Sequence, residues 1–295
     1  MKLLILGGTG MLGQALRRVA DREAEVYSIA RAGADFCFDA CNGSLLEDAI
    51  DRIQPRVIVN AAAVTDLNAC ERDLGTAYQI NARLVSVLAE ICRSRSIYLV
   101  QISTDHFFTG DGNAPHAENA PVHLVNDYAR TKYAGECFAL TYPGALVVRT
   151  NIVGFRRWAG RPTFVEWALN QFTNPSSLAC FTDYFTSSID VDQFSSALLN
   201  VIRKRPSGLL NLASREVFSK KRFLHALAEK WGVSLVGAHD ASVTSLAGAR
   251  RAESVGLDVS RAEKLLGYPL PDLQKVIDSL YAYWAENRNA VQDLH

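Results

Sequence analysis

The residue types best suited to moving a proton lie in residues 101–136. Tyr128 and Lys132 are four positions apart in a segment of helical character, so we expect their side chains on one helix face, one turn apart. The hydroxyl pair Ser103-Thr104 follows an apolar run, residues 97–102, that predicts a buried strand. A nearby ammonium favours phenolate and lowers the pKa of a tyrosine from about 10. The stretch therefore predicts an acid or base acting on an alcohol or carbonyl.

Taken alone, the Tyr-x-x-x-Lys spacing also fits an amphipathic helix with a surface lysine beside a half-buried tyrosine. The elements that would position the pair must therefore decide between the two interpretations. A strand-like run at Lys2–Leu6 leads directly into glycines at 7, 8, 10 and 13, and a helical pattern continues to Ala20. Glycines between a first strand and a first helix permit a tight turn and close approach to a pyrophosphate. This turn predicts a dinucleotide site at the helix N-terminus.

Residues near the ends of the next strands fit the remaining parts of such a cofactor. Arg31 ends a predicted strand at Glu25–Ala30, where an arginine accommodates a 2′-phosphate, and this favours NADP over NAD. A solvated arginine is the alternative interpretation. Asp39 could bond the adenine amino group or act as a turn aspartate. Ala61-Ala62-Ala63 follow a short apolar strand at Val57–Asn60, and such small residues let a flat ring lie against the backbone.

The alternation of strands and helices predicts an α/β fold with a Rossmann-type, doubly wound parallel sheet. We expect residues 1–150 to form the NAD(P)-binding domain. Residues 151–295 would form mostly a smaller, interleaved substrate-binding domain, with residues 182–204 returning to the first. Two local expectations are a capping box of Ser44 and Glu47 opening a helix, and one long helix over residues 74–95.

Composition excludes several classes of function. The 295 residues carry 31 basic and 31 acidic side chains, so neither a nucleic-acid surface nor a charged tail is expected. The six cysteines are scattered without a paired CxxC spacing, which favours reduced thiols in a cytoplasmic protein and no metal site. No apolar run is long enough for a membrane span, and the N-terminal run enters the glycine turn and is not a signal peptide.

Several of these motifs occur together as they do in one family. They include Val59-Asn60-Ala61-Ala62-Ala63-Val64-Thr65, Ile102-Ser103-Thr104-Asp105, Tyr128 to Lys132 with Ala134-Gly135-Glu136, Arg149-Thr150 and Leu257-Asp258-Val259-Ser260. Over nearly its whole length the chain resembles the extended short-chain dehydrogenase/reductases, and among them the dTDP-4-dehydrorhamnose reductases.

The resemblance implies reduction of a 4-keto-6-deoxy sugar nucleotide by NADPH or NADH. Tyr128 would donate the proton, Lys132 would lower the pKa of Tyr128 and bond the nicotinamide ribose, and Thr104 would orient the carbonyl oxygen. Cofactor contacts are expected from Gly7, Gly10, Met11, Leu12, Gly13, Arg31, Asp39, Ala40, Ala61, Ala62, Ala63, Asn81, Tyr128 and Lys132. Substrate contacts are expected from Thr65, Asp105, His106, Asn151 and Ile152. A nucleotide-sugar substrate and a homodimer complete the expectation.

Three departures from that family point to a different sugar. His106 stands where a tyrosine usually follows Ser-Thr-Asp, and Asn151-Ile152 follow Arg149-Thr150 where the rhamnose enzymes place a tryptophan after Arg-Thr-Ser. The family's late Arg-Pro pattern survives only in part, as Arg251-Ala252 followed by Leu257-Asp258.

Two other functions fit the same motifs. A sugar-nucleotide epimerase could use the same tyrosine and lysine, whereas a 4,6-dehydratase needs an Asp-Glu pair and this chain has Asp105-His106. A non-catalytic, NADP-binding regulatory subunit resembling the β subunit of methionine adenosyltransferase is the alternative outside enzymes.

Overall fold

The computed structural model describes residues 1–20, 24–158, 160–173, 175 and 178–287. Its centre is a seven-stranded parallel sheet in the order β11-β6-β5-β4-β1-β2-β3. These strands are β1 Lys2–Leu6, β2 Glu25–Ala30, β3 Phe36–Cys37, β4 Val57–Asn60, β5 Tyr98–Ile102, β6 Ala145–Arg149 and β11 Gly208–Asn211. This topology confirms the predicted α/β class and doubly wound parallel sheet.

The central strands of the sheet are buried along their whole length, because helices cover both of its faces. The helices are α1 Met11–Ala20, α2 Gly43–Ile53, α3 Leu67–Arg72, α4 Leu74–Tyr78, α5 Leu84–Arg95, α6 Asp127–Leu140, α7 Phe164–Gln171, α8 Val191–Lys204, α9 Lys220–Trp231, α10 Ser260–Leu266 and α11 Leu273–Glu286. Alternate residues of β1 divide between two cores: Leu3 packs with α1 and α8, whereas Leu4 packs with α2 and α5. None of the helices within the described ranges is both long and apolar enough to cross a bilayer.

The second half of the chain builds a smaller layer beside the sheet. Its short strands are β7 Ile152–Val153, β8 Ala179–Phe181, β9 Phe185–Thr186, β10 Ile189–Asp190, β12 Phe218–Ser219, β13 His239–Ala241 and β14 Ser254–Val255. A separate apolar core joins α7, α9 and α11. Because α8 and β11 belong to the large sheet's layers, the halves interleave; the domain boundary at residue 150 stays a prediction. Residues 288–295 of the predicted second domain lie outside the described residues.

One local expectation was wrong, and a second was incomplete. Helix α2 is capped by Asn42, whose Oδ1 accepts from the backbone N–H of Leu45 at 3.2 Å, and Ser44 lies inside the helix. The predicted long helix over residues 74–95 is helical throughout, but it contains a π-helical turn at Gln79–Arg83 between α4 and α5. Tertiary contacts at Asn81, described below, hold this turn, and they are invisible to a periodicity argument.

A buried ion pair fixes α6 to the sheet. Arg149, the last residue of β6, donates to Glu136 of α6 at 2.9 Å through Nε and 2.8 Å through Nη2, and the two side chains are 3% and 2% exposed. The guanidinium also lies over the ring of Phe107, 5.0 Å from its centroid. Two desolvated charges are tolerated only when each satisfies the other, so this pair determines how α6 sits on the strands.

Replacing Glu136 with alanine should therefore destabilise the protein strongly. It leaves the Arg149 guanidinium buried without its carboxylate, which costs about 3–5 kcal/mol of unfolding free energy in comparable cases. Urea denaturation of Glu136→Ala measures the loss. The matched control is Asp51→Ala, which removes a carboxylate from the exposed Arg95–Asp51 pair at 2.7 Å and should change stability little. Equal losses in the two variants would contradict the assignment.

Candidate active site

The sequence motifs meet at one edge of the sheet because β1, β4 and β5 are adjacent and parallel. The glycine turn leaves the carboxyl end of β1, the alanine triplet leaves that of β4, and Ser103-Thr104 leaves that of β5. In open α/β sheets the crevice outside these ends is where ligands bind.

The glycine turn has no room for side chains. A methyl group at Gly13 would lie 2.3 Å from the carbonyl oxygen of Gly7. Gly7 itself has φ +79° and would bring a methyl group to 2.9 Å from the backbone of Ala61. Helix α1 starts directly after this turn, at Met11, and the side chain of Leu12 is buried in the core. The turn therefore presents backbone and a helix N-terminus, which suits the pyrophosphate of a dinucleotide.

Residues expected near the adenosine lie on the outer side of this edge. Arg31 is exposed after β2, and Asp39 Oδ1 accepts from the backbone N–H of Cys41 at 2.9 Å in a turn that also holds half-buried Ala40. Sequence reasoning missed Asp35, whose carboxylate accepts from Ser28 Oγ at 2.7 Å and pairs with Arg17 at 3.1 Å. Hydrogen bonds from Ser28 and Arg17 hold the pKa of Asp35 below its usual value, although its partial burial opposes them.

Asn81 is a buried structural residue in this edge of the sheet. Its amide clamps the chain after the alanine triplet, because Oδ1 accepts from Val64 N–H at 2.9 Å and Nδ2 donates to Val64 C=O at 3.0 Å. Nδ2 also donates to Thr131 Oγ1 of α6 at 3.1 Å. Asn81 thus ties the loop after β4 to the helix that carries Tyr128, and its contact with the cofactor stays a prediction.

Tyr128 and Lys132 lie on the buried face of α6, one turn apart as predicted, and are 8% and 4% exposed. Lys132 Nζ donates to the backbone oxygen of Ile102, the last residue of β5, at 2.8 Å. Burial lowers the pKa of Lys132 to about 8, while the carboxylate of Glu136 opposes this shift.

The pKa of Tyr128 moves opposite to the expectation. Burial raises it above the usual value, the neighbouring Thr104 hydroxyl lowers it, and the Asp105 carboxylate raises it further. The predicted lowering by Lys132 was wrong for the protein by itself, because removal from water outweighs the other influences. Tyr128 is therefore a neutral phenol at neutral pH, which is the form a proton donor needs.

The loop after β5 supplies polar groups beside Tyr128. Thr104 Oγ1 accepts from the backbone N–H of His106 at 3.2 Å and lies 3.4 Å from Asp105 Oδ1. The His106 ring lies edge-on to Tyr128 with centroids 5.8 Å apart. Burial, together with the positive charges of Lys220 and Arg251, lowers the pKa of His106 to about 4. His106 is neutral at physiological pH and cannot serve there as a cationic acid.

Asp105 is the first member of a row of hydrogen-bonded side chains that extends away from Thr104 and Tyr128. Asn151 Nδ2 donates to Asp105 Oδ2 at 2.7 Å, and Ser188 Oγ donates to Asn151 Oδ1 at 2.8 Å. Burial raises the pKa of Asp105 to about 7, while the Asn151 hydrogen bond and the charge of Lys220 oppose this shift. Two predicted substrate residues, Asp105 and Asn151, are thus brought together by folding.

The remaining predicted substrate residues are less closely joined to this group. Ile152 begins β7 and packs against the large core, and Thr65 is exposed just before the Asp66 cap of α3. Sequence reasoning missed Tyr184 and Lys220. The Tyr184 hydroxyl lies 3.1 Å from His106 Nε2, and the Lys220 ammonium lies 3.5 Å from Ser188 Oγ. No local sequence signal marks either residue, because both enter the site from the second half of the chain.

Comparison with known proteins agrees with this geometry. A probable dTDP-4,6-dihydroxy-2-methyloxan-3-one 4-ketoreductase from Streptomyces antibioticus is 39% identical over 153 residues. The matched region covers 51% of this chain and 50% of that relative, so the chain spans about half the length of the relative. A dTDP-4-dehydrorhamnose reductase from Aggregatibacter actinomycetemcomitans is 27% identical over 96% of this chain and 99% of its own.

Solved structures and family models extend the comparison to the whole fold. The crystal structure of a dTDP-4-dehydrorhamnose reductase from Bacillus anthracis, in complex with NADP, superposes with a TM-score of 0.85 at 21% identity, covering 96% of this chain and 98% of that one. The model of the RmlD substrate binding domain matches residues 1–285. The chain therefore belongs to the RmlD substrate binding domain family.

Proposed function

We propose that this protein reduces the keto group of a 4-keto-6-deoxy sugar nucleotide with NADPH, in deoxysugar or polysaccharide biosynthesis. The observation that carries the proposal is the position of Thr104, Tyr128 and Lys132 on the sheet edge that also bears the glycine turn. The named relatives support the substrate class, since a probable 4-ketoreductase and a dehydrorhamnose reductase are among them. We assign the chain to the extended short-chain dehydrogenase/reductases on the same residues.

The glycine turn is the place for the cofactor. The backbone of residues 7–13 would hold its pyrophosphate, since the turn packs so tightly that a side chain at Gly13 or Gly7 would collide with neighbouring backbone. Ala61 to Ala63 leave a flat surface beside it, and Arg31 is the predicted partner of a 2′-phosphate. NADP in the Bacillus anthracis relative supports this choice of dinucleotide. When bound, the reduced nicotinamide would supply the hydride for the keto carbon.

The side chains of this protein would orient the carbonyl and move the proton. Thr104, which touches Tyr128, would donate a hydrogen bond to the carbonyl oxygen of the sugar. The neutral phenol of Tyr128 would give its proton to the same oxygen as negative charge develops there. The phenolate left behind is costly in a buried site, and Lys132, one turn away on α6, is the nearest cation on that helix face to stabilise it.

Further properties of the protein follow as proposals. We place the reaction in the cytoplasm, since the six cysteines are free thiols. The homodimer expected from the sequence is carried forward as a prediction. An epimerase would use the same tyrosine and lysine, and product analysis distinguishes it from a reductase.

Replacing Tyr128 with phenylalanine should abolish most turnover while leaving cofactor binding intact, because it removes only the proton donor. General acid catalysis contributes about 10²–10⁴-fold, which sets the expected fall in kcat. The rate of NADPH oxidation with a keto sugar nucleotide, followed by absorbance, gives kcat. Quenching of protein fluorescence gives the affinity for NADPH. Tyr133→Phe, on the same helix and half-buried, is the matched control. Turnover of Tyr128→Phe near that of the parent would rule out Tyr128 as the acid.

Exchanging Arg31 for aspartate should narrow or invert the preference for NADPH over NADH. An ion-paired hydrogen bond is worth about 1.5–3 kcal/mol, so the parent should bind NADPH about tenfold to a hundredfold more tightly. Titration calorimetry with both cofactors measures the ratio. Arg52→Asp, on α2 away from the glycine turn, controls for the change in net charge. Equal affinities of the parent for NADPH and NADH would remove the reason for assigning Arg31 to the phosphate.

The departures at His106 and Ile152 should show in the product. Each replaces an aromatic residue of the resembling family, which alters the volume and contact area offered to a sugar face. With dTDP-4-keto-6-deoxy-L-mannose and NADPH, we expect slow or incomplete conversion to dTDP-L-rhamnose. NMR spectroscopy of the reaction mixture identifies the product and its amount. Efficient and exclusive formation of dTDP-L-rhamnose would show the replacements to be neutral. NADPH binding without reduction of any keto sugar nucleotide would favour the regulatory-subunit function instead.

A further inference from the structure

Lys220 is a cation that the proposed chemistry does not use, yet it lies at the end of the polar row that starts at the reacting groups. It is the first residue of α9, directly after the Ser219 cap. Its ammonium is 3.5 Å from Ser188 Oγ, which donates to Asn151 at 2.8 Å and also lies 3.0 Å from Thr186 Oγ1. Asn151 bonds Asp105 at 2.7 Å, so hydrogen bonds lead from Lys220 to the residue after Thr104.

A second set of contacts places Lys220 in the same region. The ammonium lies 4.2 Å from the ring centroid of Phe164 and 5.7 Å from that of Tyr184. The Tyr184 hydroxyl is 3.1 Å from His106 Nε2, and the His106 ring meets Tyr128 edge-on at 5.8 Å. One aromatic side chain, Tyr184, therefore separates the ammonium from the histidine beside the proposed acid.

The ammonium is poorly satisfied by these neighbours. It has three N–H donors, and within the described residues its recorded hydrogen bond is the single long one to Ser188. The rings of Phe164, Tyr184 and Phe223 lie around it and stabilise a cation without accepting all of its hydrogens, and the Asp105 carboxylate is near enough to attract it. The residue as a whole is half-buried, between the polar row and the aromatic rings.

We propose that Lys220 is a specificity-determining residue that donates a hydrogen bond to a neutral hydroxyl of the sugar ring and rejects sugars with a protonated amino group there. This inference rests on the proposed function of the site. A hydroxyl can accept from Lys220 and donate to the carboxylate of Asp105, which begins the row. An ammonium substituent would meet a like charge, and a carboxylate substituent would meet Asp105.

The test is a binding comparison on the NADP⁺-saturated protein, because it needs no turnover. Calorimetry would give the affinities of dTDP, of dTDP-glucose, and of dTDP-glucose analogues aminated at C2 or C3, at about pH 6.5 where the amines are protonated. Lys220→Met should lose about tenfold to a hundredfold in affinity for dTDP-glucose, the worth of a charged hydrogen bond, and keep its affinity for dTDP. The parent protein should bind one of the two amino analogues much more weakly than dTDP-glucose. In Lys220→Met the ratio of these two affinities should be smaller.

Lys221→Met is the matched control, because Lys221 is the next residue but points to solvent and pairs with Asp240 at 2.7 Å. It should change none of these affinities. Equal losses for dTDP and dTDP-glucose in Lys220→Met would place Lys220 on the diphosphate and overturn the inference. So would unchanged affinities, or a parent that binds dTDP-glucose no better than dTDP. If the parent protein binds dTDP-glucose but reduces no keto sugar nucleotide, the proposed reaction is contradicted. The binding data for Lys220→Met would still decide whether Lys220 contacts the sugar.

Discussion

The site depends on how helix α6 is attached to the sheet. Lys132 reaches the backbone oxygen of Ile102 at the end of β5, and Glu136 meets Arg149 at the end of β6. On its other side, a methyl group at Gly135 would lie 2.2 Å from the backbone oxygen of Asn81, so α6 touches the π-helical turn directly. Buried polar groups must find partners, and these partners fix the height and rotation of α6. Tyr128 is carried to Thr104 as a consequence.

Burial at this edge shifts the pKa values of Tyr128 and Lys132 in opposite directions. Desolvation disfavours whichever form is charged, so the pKa of Tyr128 rises and that of Lys132 falls to about 8. Without a bound cofactor, the protein therefore holds a neutral phenol one helical turn from a lysine whose pKa is lower than that of an ordinary lysine. For a reduction this arrangement is favourable, since the phenol must begin the reaction with its proton.

The side of the cleft beyond Thr104 is polar. Asp105, Asn151 and Ser188 form a continuous hydrogen-bonded row, and His106 with Tyr184 forms the neighbouring aromatic group. A wall of this kind recognises the direction of hydroxyl groups, because each buried donor or acceptor left unpaired carries a penalty.

The sheet class, the glycine turn and the Tyr128–Lys132 pair can all be predicted from the amino-acid sequence. These depend on local signals: apolar periodicity, residues without a Cβ, and a four-residue helical spacing. Long-range packing instead sets the π-helical turn at Gln79–Arg83, where Asn81 bonds Val64 and Thr131 across the fold. It also decided the direction of the Tyr128 pKa and the arrival of Tyr184 and Lys220, because burial and long-range contacts arise only when distant segments pack together.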